Sequence, residues 1–134
     1  MLLSGSCHCK KIGFTLLSRH THPFNLCYCE ICRKTAGGGG YAINLGGEAS
    51  SLVVEGDEYL SVYRAKLIDD AGVSYVSSAE RRFCKVCGSA LWLWDPSWPE
   101  LIHPFASAID SELPPSPEQT HLMTAHKANW VGIG

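Results

Sequence analysis

Seven cysteines are the residues of this sequence that can support the most distinctive chemistry. They fall into three groups along the 134-residue chain: Cys7-x-Cys9, Cys27-x-Cys29-x-x-Cys32 and Cys84-x-x-Cys87. An odd number of cysteines at such short spacings does not suit a disulfide framework, which also needs an oxidising compartment. Cysteine thiolates are preferred ligands of zinc, which takes four ligands in a tetrahedron. The pattern therefore predicts metal binding.

Spacing alone allows two ways of dividing the seven sulfurs. In the first, the Cys29/Cys32 pair joins the Cys84/Cys87 pair in a zinc ribbon, and the other cysteines are spare thiols or a poor second site. In the second, the first and last pairs bind one metal, and the middle group of three binds another. The second division uses every cysteine. It gives the middle metal three protein ligands, as in a catalytic zinc that accepts water or substrate.

Alternatively, a histidine could be the fourth protein ligand of the middle metal, which would leave no position for water or substrate. The sequence offers six candidates for such a fourth ligand: His8, His20, His22, His103, His121 and His126. Four protein ligands are typical of a structural zinc site. In that case the middle group would have no catalytic role.

Three segments of the chain resemble the glutathione-dependent formaldehyde-activating enzyme family. They surround the cysteine groups and read Gly5-Ser6-Cys7-His8-Cys9, Cys27-Tyr28-Cys29-Glu30-Ile31-Cys32-Arg33-Lys34 and Arg82-Phe83-Cys84-Lys85-Val86-Cys87-Gly88-Ser89. The segments His121-Leu122-Met123 and Lys127-Ala128-Asn129-Trp130 are similar to the family's closing segment. The chain departs from the family at Lys10, where Gly is frequent, and at Tyr28, where His is common.

The resemblance implies a fold, a cofactor and an assignment of ligands. The fold is all-β and Mss4-like, with several small coiled antiparallel β-sheets organised around zinc. The expected cofactor is Zn²⁺, with two ions per chain. The implied structural zinc ligands are Cys7, Cys9, Cys84 and Cys87, and the implied catalytic zinc ligands are Cys27, Cys29 and Cys32.

The resemblance also implies an activity and small-molecule partners. The family's reaction joins the thiol of glutathione to formaldehyde as S-hydroxymethylglutathione, and its reverse is a carbon–sulfur lyase reaction. The expected partners are therefore a thiol such as glutathione and an aldehyde. Three thiolates on Zn²⁺ leave a formal charge of −1, which needs nearby donors or a cation. Arg33 and Lys34 directly follow the middle group and are the candidate substrate contacts, although such residues are usually surface cations.

Short β-rich runs between turn signals predict the elements that position these cysteines. The predicted strands are Ile12–Leu17, Tyr41–Leu45, Ser51–Val54, Tyr59–Arg64, Val73–Ser77, Ala90–Trp94, Phe105–Ile109 and His121–Thr124. The best helical candidate is Glu30–Ala36. Gly37–Gly40 favours a turn over an anion-binding nest. We expect Trp92 to lie in the core against a sheet. We also expect residues 1–134 to form one domain.

Composition narrows the partners. Eleven Lys and Arg against thirteen Asp and Glu give a net charge of −2, without the basic excess of a nucleic-acid-binding protein. The first residues show neither a signal peptide nor a membrane span, so we expect no membrane association and a cytoplasmic location. The rival hypothesis is a non-catalytic zinc-binding interaction or chaperone module, because the Mss4-like fold also serves protein binding.

Overall fold

Short strands in small sheets account for most of the regular secondary structure in the computed structural model, which describes residues 1–19, 25–115 and 118–133. The described residues form these strands: β1 (Leu2–Ser6), β2 (Gly13–Leu17), β3 (Asn25–Cys27), β4 (Ala42–Asn44), β5 (Gly47–Glu48), β6 (Val53–Glu55), β7 (Leu60–Tyr63), β8 (Lys66–Ile68), β9 (Ser74–Val76), β10 (Glu80–Cys84), β11 (Ala90–Trp94), β12 (Leu101–Pro104) and β13 (Thr120–Leu122). The helix α1 spans Glu30–Ala36, with the predicted bounds. Short 3₁₀ helices span Ala49–Ser51, Asp57–Tyr59, Ala106–Ala108 and Thr124–His126. The all-β fold is confirmed.

The strands form one larger sheet and three small ones. The larger sheet has the order β5-β12-β11-β10-β7, and the others are β1-β2-β6, β13-β3-β4 and the hairpin β8-β9. The strand pairs are antiparallel except β3 and β13, which run parallel with Leu122 beside Cys27. For this pair the expectation of antiparallel sheets is wrong. Parallel neighbours need a long connection, and here most of the chain lies between the two strands.

The predicted strand Phe105–Ile109 is also wrong, because this segment is a 3₁₀ turn. The N–H of Ala108 bonds the carbonyl of Phe105 at 2.9 Å, and the N–H of Ile109 bonds that of Ala106 at 3.1 Å. A short apolar run fits a turn as well as a strand when its side chains are buried. Phe105 and Ala108 are both buried here.

The charged strand β10 shows why the sequence pattern did not predict some of the strands. It begins with Glu80, Arg81 and Arg82, which do not read as a strand. Glu80 is buried and accepts hydrogen bonds from Arg64 at 3.0 Å and Arg82 at 2.5 Å. Buried charges are tolerated when they are paired in this way, so long-range pairing places a polar segment inside the larger sheet.

The main core lies between the β1-β2-β6 sheet and one face of the larger sheet. Its buried apolar side chains are Leu3, Ile12, Phe14, Leu16, Leu45, Leu91, Trp92, Ile102 and Ala108. The rings of Phe14 and Trp92 meet edge to face with centroids 5.1 Å apart. Cys7 and Cys84 belong to the same buried cluster, so the core directly supports the first and last cysteine groups.

The opposite face of the larger sheet supports the middle cysteine group. Arg81 on β10 pairs with Leu93 on β11, whereas the neighbouring Trp92 faces the main core. Successive side chains of a strand point to opposite faces. Leu93 packs against a second cluster that contains Cys27, Cys32, Ala42 and Phe105. One sheet therefore separates the two sets of cysteines.

The described residues contain no helix long and apolar enough to cross a membrane. The hairpin of β8 and β9 is exposed, although several of its side chains are apolar. Ile68 is 73% exposed and Val76 is 56% exposed.

Gly56 supports the turn that carries the first cysteines, so we expect its substitution to destabilise the fold. Gly56 has φ 82°, and an added Cβ would lie 1.9 Å from the carbonyl oxygen of Lys11. The matched control is Gly72, which has φ 78° and open space where an added Cβ would lie. We expect Gly72→Ala to lower the free energy of unfolding by about 1 kcal/mol, the strain of positive φ. Gly56→Ala should cost about 1–3 kcal/mol more, because of the clash. Urea denaturation measures both values, and equal losses would contradict the role of Gly56.

Candidate metal centres

The four-cysteine cluster comprises Cys7, Cys9, Cys84 and Cys87. Its first half lies in the turn after β1, where the N–H of Cys7 bonds the carbonyl of Ile12 at 3.1 Å. Its second half lies in the turn that ends β10, where the N–H of Gly88 bonds the carbonyl of Cys84 at 2.8 Å. Gly88 has φ 79°, a conformation that glycine adopts without strain. The two turns thus bring together cysteines from distant parts of the chain.

The sulfur positions of this cluster fit one tetrahedral metal ion. The Sγ atoms of Cys7 and Cys9 are 3.5 Å apart, those of Cys9 and Cys84 are 3.7 Å apart, and all four lie within 4.8 Å of one another. A tetrahedral zinc site with Zn–S distances of about 2.3 Å has S···S edges of about 3.8 Å. The cysteines are free thiols and not disulfides. The donor set can therefore hold a metal ion such as zinc.

Hydrogen-bond donors around the four-cysteine cluster favour the thiolate form of some of its cysteines. The hydroxyl of Ser89, 3.2 Å from the sulfur of Cys87, is the main cause that lowers the pKa of Cys87 to about 5. Burial alone would raise the pKa of Cys7, but the N–H of Ile12 at 3.3 Å and the neighbouring thiols outweigh it and lower the pKa. The N–H of Lys11 lowers the pKa of Cys9, but desolvation and the other thiols raise it to about 11. The surroundings thus stabilise part of the charge that metal-bound thiolates carry.

The three-cysteine cluster comprises Cys27, Cys29 and Cys32. Cys27 ends β3, Cys29 is the N-cap of α1, and Cys32 lies in the first turn of that helix. The sulfur of Cys29 accepts a hydrogen bond from the N–H of Cys32 at 3.3 Å, so one residue caps the helix and offers a ligand. The three sulfurs lie within 4.8 Å of one another. Strand end and helix start together form a second site that can hold a metal.

Arg81 is the cation that touches this cluster, and sequence reasoning missed it. Its two terminal nitrogens lie 3.7 and 3.8 Å from the sulfur of Cys32, and one lies 3.4 Å from the hydroxyl of Thr35. The expected cations were the sequence neighbours of Cys32, whereas Arg81 comes from β10 across the sheet. Alternation along the strand from Cys84 was the available signal, since it places Arg81 and Cys84 on opposite faces.

The charge distribution in the three-cysteine cluster is uneven. The hydrogen bond from Cys27 is the largest cause that lowers the pKa of Cys32 to about 5, and the Arg81 guanidinium lowers it further against the effect of burial. The same hydrogen bond and burial raise the pKa of Cys27 far above its ordinary value. Without a metal, the pair of Cys27 and Cys32 therefore favours negative charge on Cys32, beside the guanidinium of Arg81.

A cavity lies directly beside Arg81. It has a volume of about 270 Å³, and its lining includes Thr35, Arg81, Arg82, Ala90 and Phe105. Ala90 and Phe105 also pack in the apolar cluster around Cys27 and Cys32. An apolar cavity with a guanidinium on its wall, next to a group of three thiols, can receive a small molecule that carries negative charge.

Comparisons with known proteins identify the family of the chain. Residues 2–125 match the family model described as "Glutathione-dependent formaldehyde-activating enzyme". The chain belongs to this family. It is 60% identical over 133 residues to a Halomonas elongata protein named "Putative glutathione-dependent formaldehyde-activating enzyme", and the match covers 99% of this chain and 82% of that protein. A crystal structure of a Rhodobacter sphaeroides protein shares the fold with a TM-score of 0.60 and 23% identity, covering 84% of this chain and 99% of that one.

The structure of this family member distinguishes between the two possible groupings of the cysteines. The sulfurs of Cys29 and Cys32 group with that of Cys27, and the sulfurs of Cys84 and Cys87 group with the first pair. The zinc-ribbon division does not occur. The roles of the two groups, structural and catalytic, stay predictions.

Among the described residues, no imidazole nitrogen joins the three-cysteine group. His103 has its Nδ1 3.2 Å from the carbonyl oxygen of Leu45, and His121 has its Nδ1 2.8 Å from the hydroxyl of Tyr28. His8 is exposed and His126 lies in a 3₁₀ helix. Two further candidates for the fourth ligand, His20 and His22, lie outside the described residues. Tyr28 is buried, and burial raises its pKa.

The candidate substrate contacts Arg33 and Lys34 lie on α1. Lys34 is exposed and pairs with Glu30 at 3.6 Å. The Nε of Arg33 is shielded from solvent and has no hydrogen-bond partner in the described part of the chain. Gly37–Gly40 forms the expected turn, closed by a hydrogen bond of 3.1 Å from the N–H of Gly40 to the carbonyl of Gly37.

Metal titration distinguishes the two clusters. We expect the reduced, metal-free protein to bind two cobalt ions per chain with thiolate charge-transfer bands, because two separate groups of sulfurs fit a metal. Cys9→Ser and Cys29→Ser should each bind one. Only Cys9→Ser should strongly lower the melting temperature, because Cys9 joins segments 75 residues apart. A wild-type protein that binds a single cobalt would contradict this expectation.

The influence of Arg81 is measurable without metal. We expect a step in thiolate absorbance near pH 5 that becomes smaller but persists in Cys32→Ser, since the pKa values of Cys32 and Cys87 are both about 5 and this variant loses only the part due to Cys32. Arg81→Gln removes a positive charge that favours the thiolate, so the pKa rises and less thiolate is present at pH 5. Arg19→Gln is the matched control, because the Arg19 side chain is 89% exposed. An unchanged step in Arg81→Gln would show that Arg81 does not act on Cys32.

Proposed function

We propose that this family member is a zinc-dependent carbon–sulfur lyase that forms and cleaves the adduct of glutathione and formaldehyde. The catalytic residues are Cys27, Cys29 and Cys32. The observation that carries the proposal is a group of three thiols, without a fourth protein ligand among the described residues, beside a cavity with a guanidinium on its wall. The family match supports the substrates.

In the reaction, a carbon–sulfur bond forms between the glutathione sulfur and the formaldehyde carbon. The carbonyl π bond breaks, and the proton that leaves the thiol ends on the former carbonyl oxygen. The products contain all the atoms of the reactants, so no oxidant or reductant is needed. Cleavage of S-hydroxymethylglutathione is the same step in reverse.

The residues of the three-cysteine cluster would hold zinc and shape its charge. When bound there, zinc would supply a Lewis acid with a position for one further thiol sulfur. Cys27, Cys29 and Cys32 provide the ligand sulfurs, and the N–H of Cys32 supports the sulfur of Cys29. Arg81 offsets negative charge at Cys32, which an incoming thiolate would increase. Arg33 and Lys34 stay predicted substrate contacts.

The four-cysteine cluster would hold a structural zinc. Four thiols with tetrahedral spacing fill every position of a zinc site, so no place is left for a substrate. Cys7 and Cys84 are buried in the main core, which favours a role in folding. We further propose that residues 1–134 form one domain and that the protein works in a reducing compartment such as the cytoplasm, where seven thiols stay free.

A second candidate function, a non-catalytic interaction module, is favoured by the exposed apolar hairpin of β8 and β9. Ile68 and Val76 are both more than half exposed. Exposed apolar surface of this kind marks contact sites on many proteins. Such a module would hold both metals and would not accelerate the reaction of a thiol with an aldehyde.

Exchange spectroscopy tests the proposed reaction. The uncatalysed addition is already fast, so the measured quantity is the rate of ¹³C exchange between formaldehyde and its glutathione adduct by NMR. We expect the zinc-loaded protein to raise this rate above background, and Cys29→Ser to return it to background. Arg81→Gln should lower the catalysed part about 10–100-fold, the usual effect of removing a partner of a metal ligand.

The control for this experiment is Arg19→Gln, which removes an exposed arginine and should leave the catalysed rate unchanged. Zinc content is measured for each variant, so that loss of metal is separated from loss of rate. Exchange at the background rate in a wild-type protein that holds two zinc ions would contradict the lyase and favour the interaction module.

A further inference from the structure

A second cavity lies between the turn of the four-cysteine cluster and helix α1. It has a volume of about 360 Å³, and its lining includes Ser6, Lys10, Thr35, Ala90, Ser107 and Asp110. Its lining carries hydroxyl groups and, in contrast to the cavity beside Arg81, side-chain charges of both signs. Such a cavity fits a polar ligand that itself carries both charges.

Lys10 adopts a backbone conformation that its side chain makes unfavourable. Its φ is 68°, in the left-handed region, and its N–H bonds the carbonyl of Cys7 at 3.1 Å. Glycine would adopt this conformation without strain. Backbone strain that is retained at a single residue indicates that the side chain of this residue has a function. Here the side chain carries an ammonium group to the wall of the cavity.

Lys10 and Asp110 are joined by a hydroxyl. The Nζ of Lys10 donates to the Oγ of Ser6 at 2.9 Å, and that hydroxyl donates to the Oδ2 of Asp110 at 2.5 Å. The chain thus presents a cation, a hydroxyl and a carboxylate in a row. An α-amino acid zwitterion has the complementary order, with a carboxylate and an ammonium on one carbon.

The two cavities meet at common walls. Thr35 and Ala90 line both of them, so the two cavities lie next to each other. The first cavity offers the guanidinium group of Arg81, which reaches the sulfur of Cys32. A ligand that spans both cavities would place a zwitterion at Lys10 and Asp110, and a second carboxylate in the cavity of Arg81.

We propose that the cavity of Lys10 and Asp110 binds the γ-glutamyl end of a thiol peptide, with Lys10 on its α-carboxylate and Asp110 on its α-ammonium group. This inference rests on the proposed function, because it names the binding site for one end of that thiol substrate. It makes Lys10 and Asp110 specificity-determining residues that do not touch the reacting atoms. A thiol without the γ-glutamyl part gains nothing from them.

Ligand truncation combined with substitution tests the assignment. The probes are glutathione and mercaptopropionylglycine, a thiol that keeps the glycine carboxylate and lacks the γ-glutamyl part. The readout is the shift of cobalt absorption bands in the cobalt-loaded protein. Lys10→Gly is the main variant, because glycine removes the charge and relieves the strained φ, so the fold is retained. Lys66→Gln on the exposed strand β8 is the control.

We expect Lys10→Gly to weaken glutathione binding about tenfold or more, as for the loss of a hydrogen bond to a charged group. Asp110→Asn should weaken it as well. Neither variant should change the affinity for mercaptopropionylglycine, and Lys66→Gln should change neither affinity. Glutathione binding by Lys10→Gly within twofold of wild type, or equal weakening of both probes, would overturn this site and leave the proposed function intact. A wild-type protein that binds no glutathione would overturn both.

Discussion

The concentration of sulfur in two small volumes is the constraint on which the rest of the structure depends. Thiolates that share one metal repel each other, so each group needs donors that stabilise negative charge. Backbone N–H groups of Ile12 and Cys32, the hydroxyl of Ser89 and the guanidinium of Arg81 meet this need. The turns and the helix start that present these donors are therefore as necessary as the cysteines.

Strand β10 connects the two groups. Cys84 at its end belongs to the four-cysteine cluster, and Arg81 contacts the three-cysteine cluster from the other face of the sheet. Its pairing with β7 and β11 fixes the direction of both side chains. A buried carboxylate at Glu80, held by two arginines, anchors the start of the strand. A single strand thus contributes one residue to each group.

Features that depend on residues close together in the sequence could be predicted, whereas features that depend on contacts between distant residues could not. The cysteine groups, the all-β class and the helix Glu30–Ala36 follow from local patterns. Which groups share a metal stayed open, because spacing carries no information about contacts across the chain. Arg81 was missed for the same reason, since its partner Cys32 lies 49 residues away. The 3₁₀ turn Ala106–Ala108 resembled a strand because buried apolar runs look alike in either form.

The 75-residue separation between Cys9 and Cys84 has a thermodynamic consequence for folding. Bringing these residues together closes a loop of that length, and on the scale used for disulfides the entropy cost of closing it is about 4.5 kcal/mol at room temperature. A metal ion binds the folded chain, in which the four sulfurs are already together, because the unfolded chain has no preformed site. A metal at the four-cysteine cluster would then stabilise the fold by its binding free energy, and part of that free energy would offset the cost of joining the N-terminal strands to the end of β10.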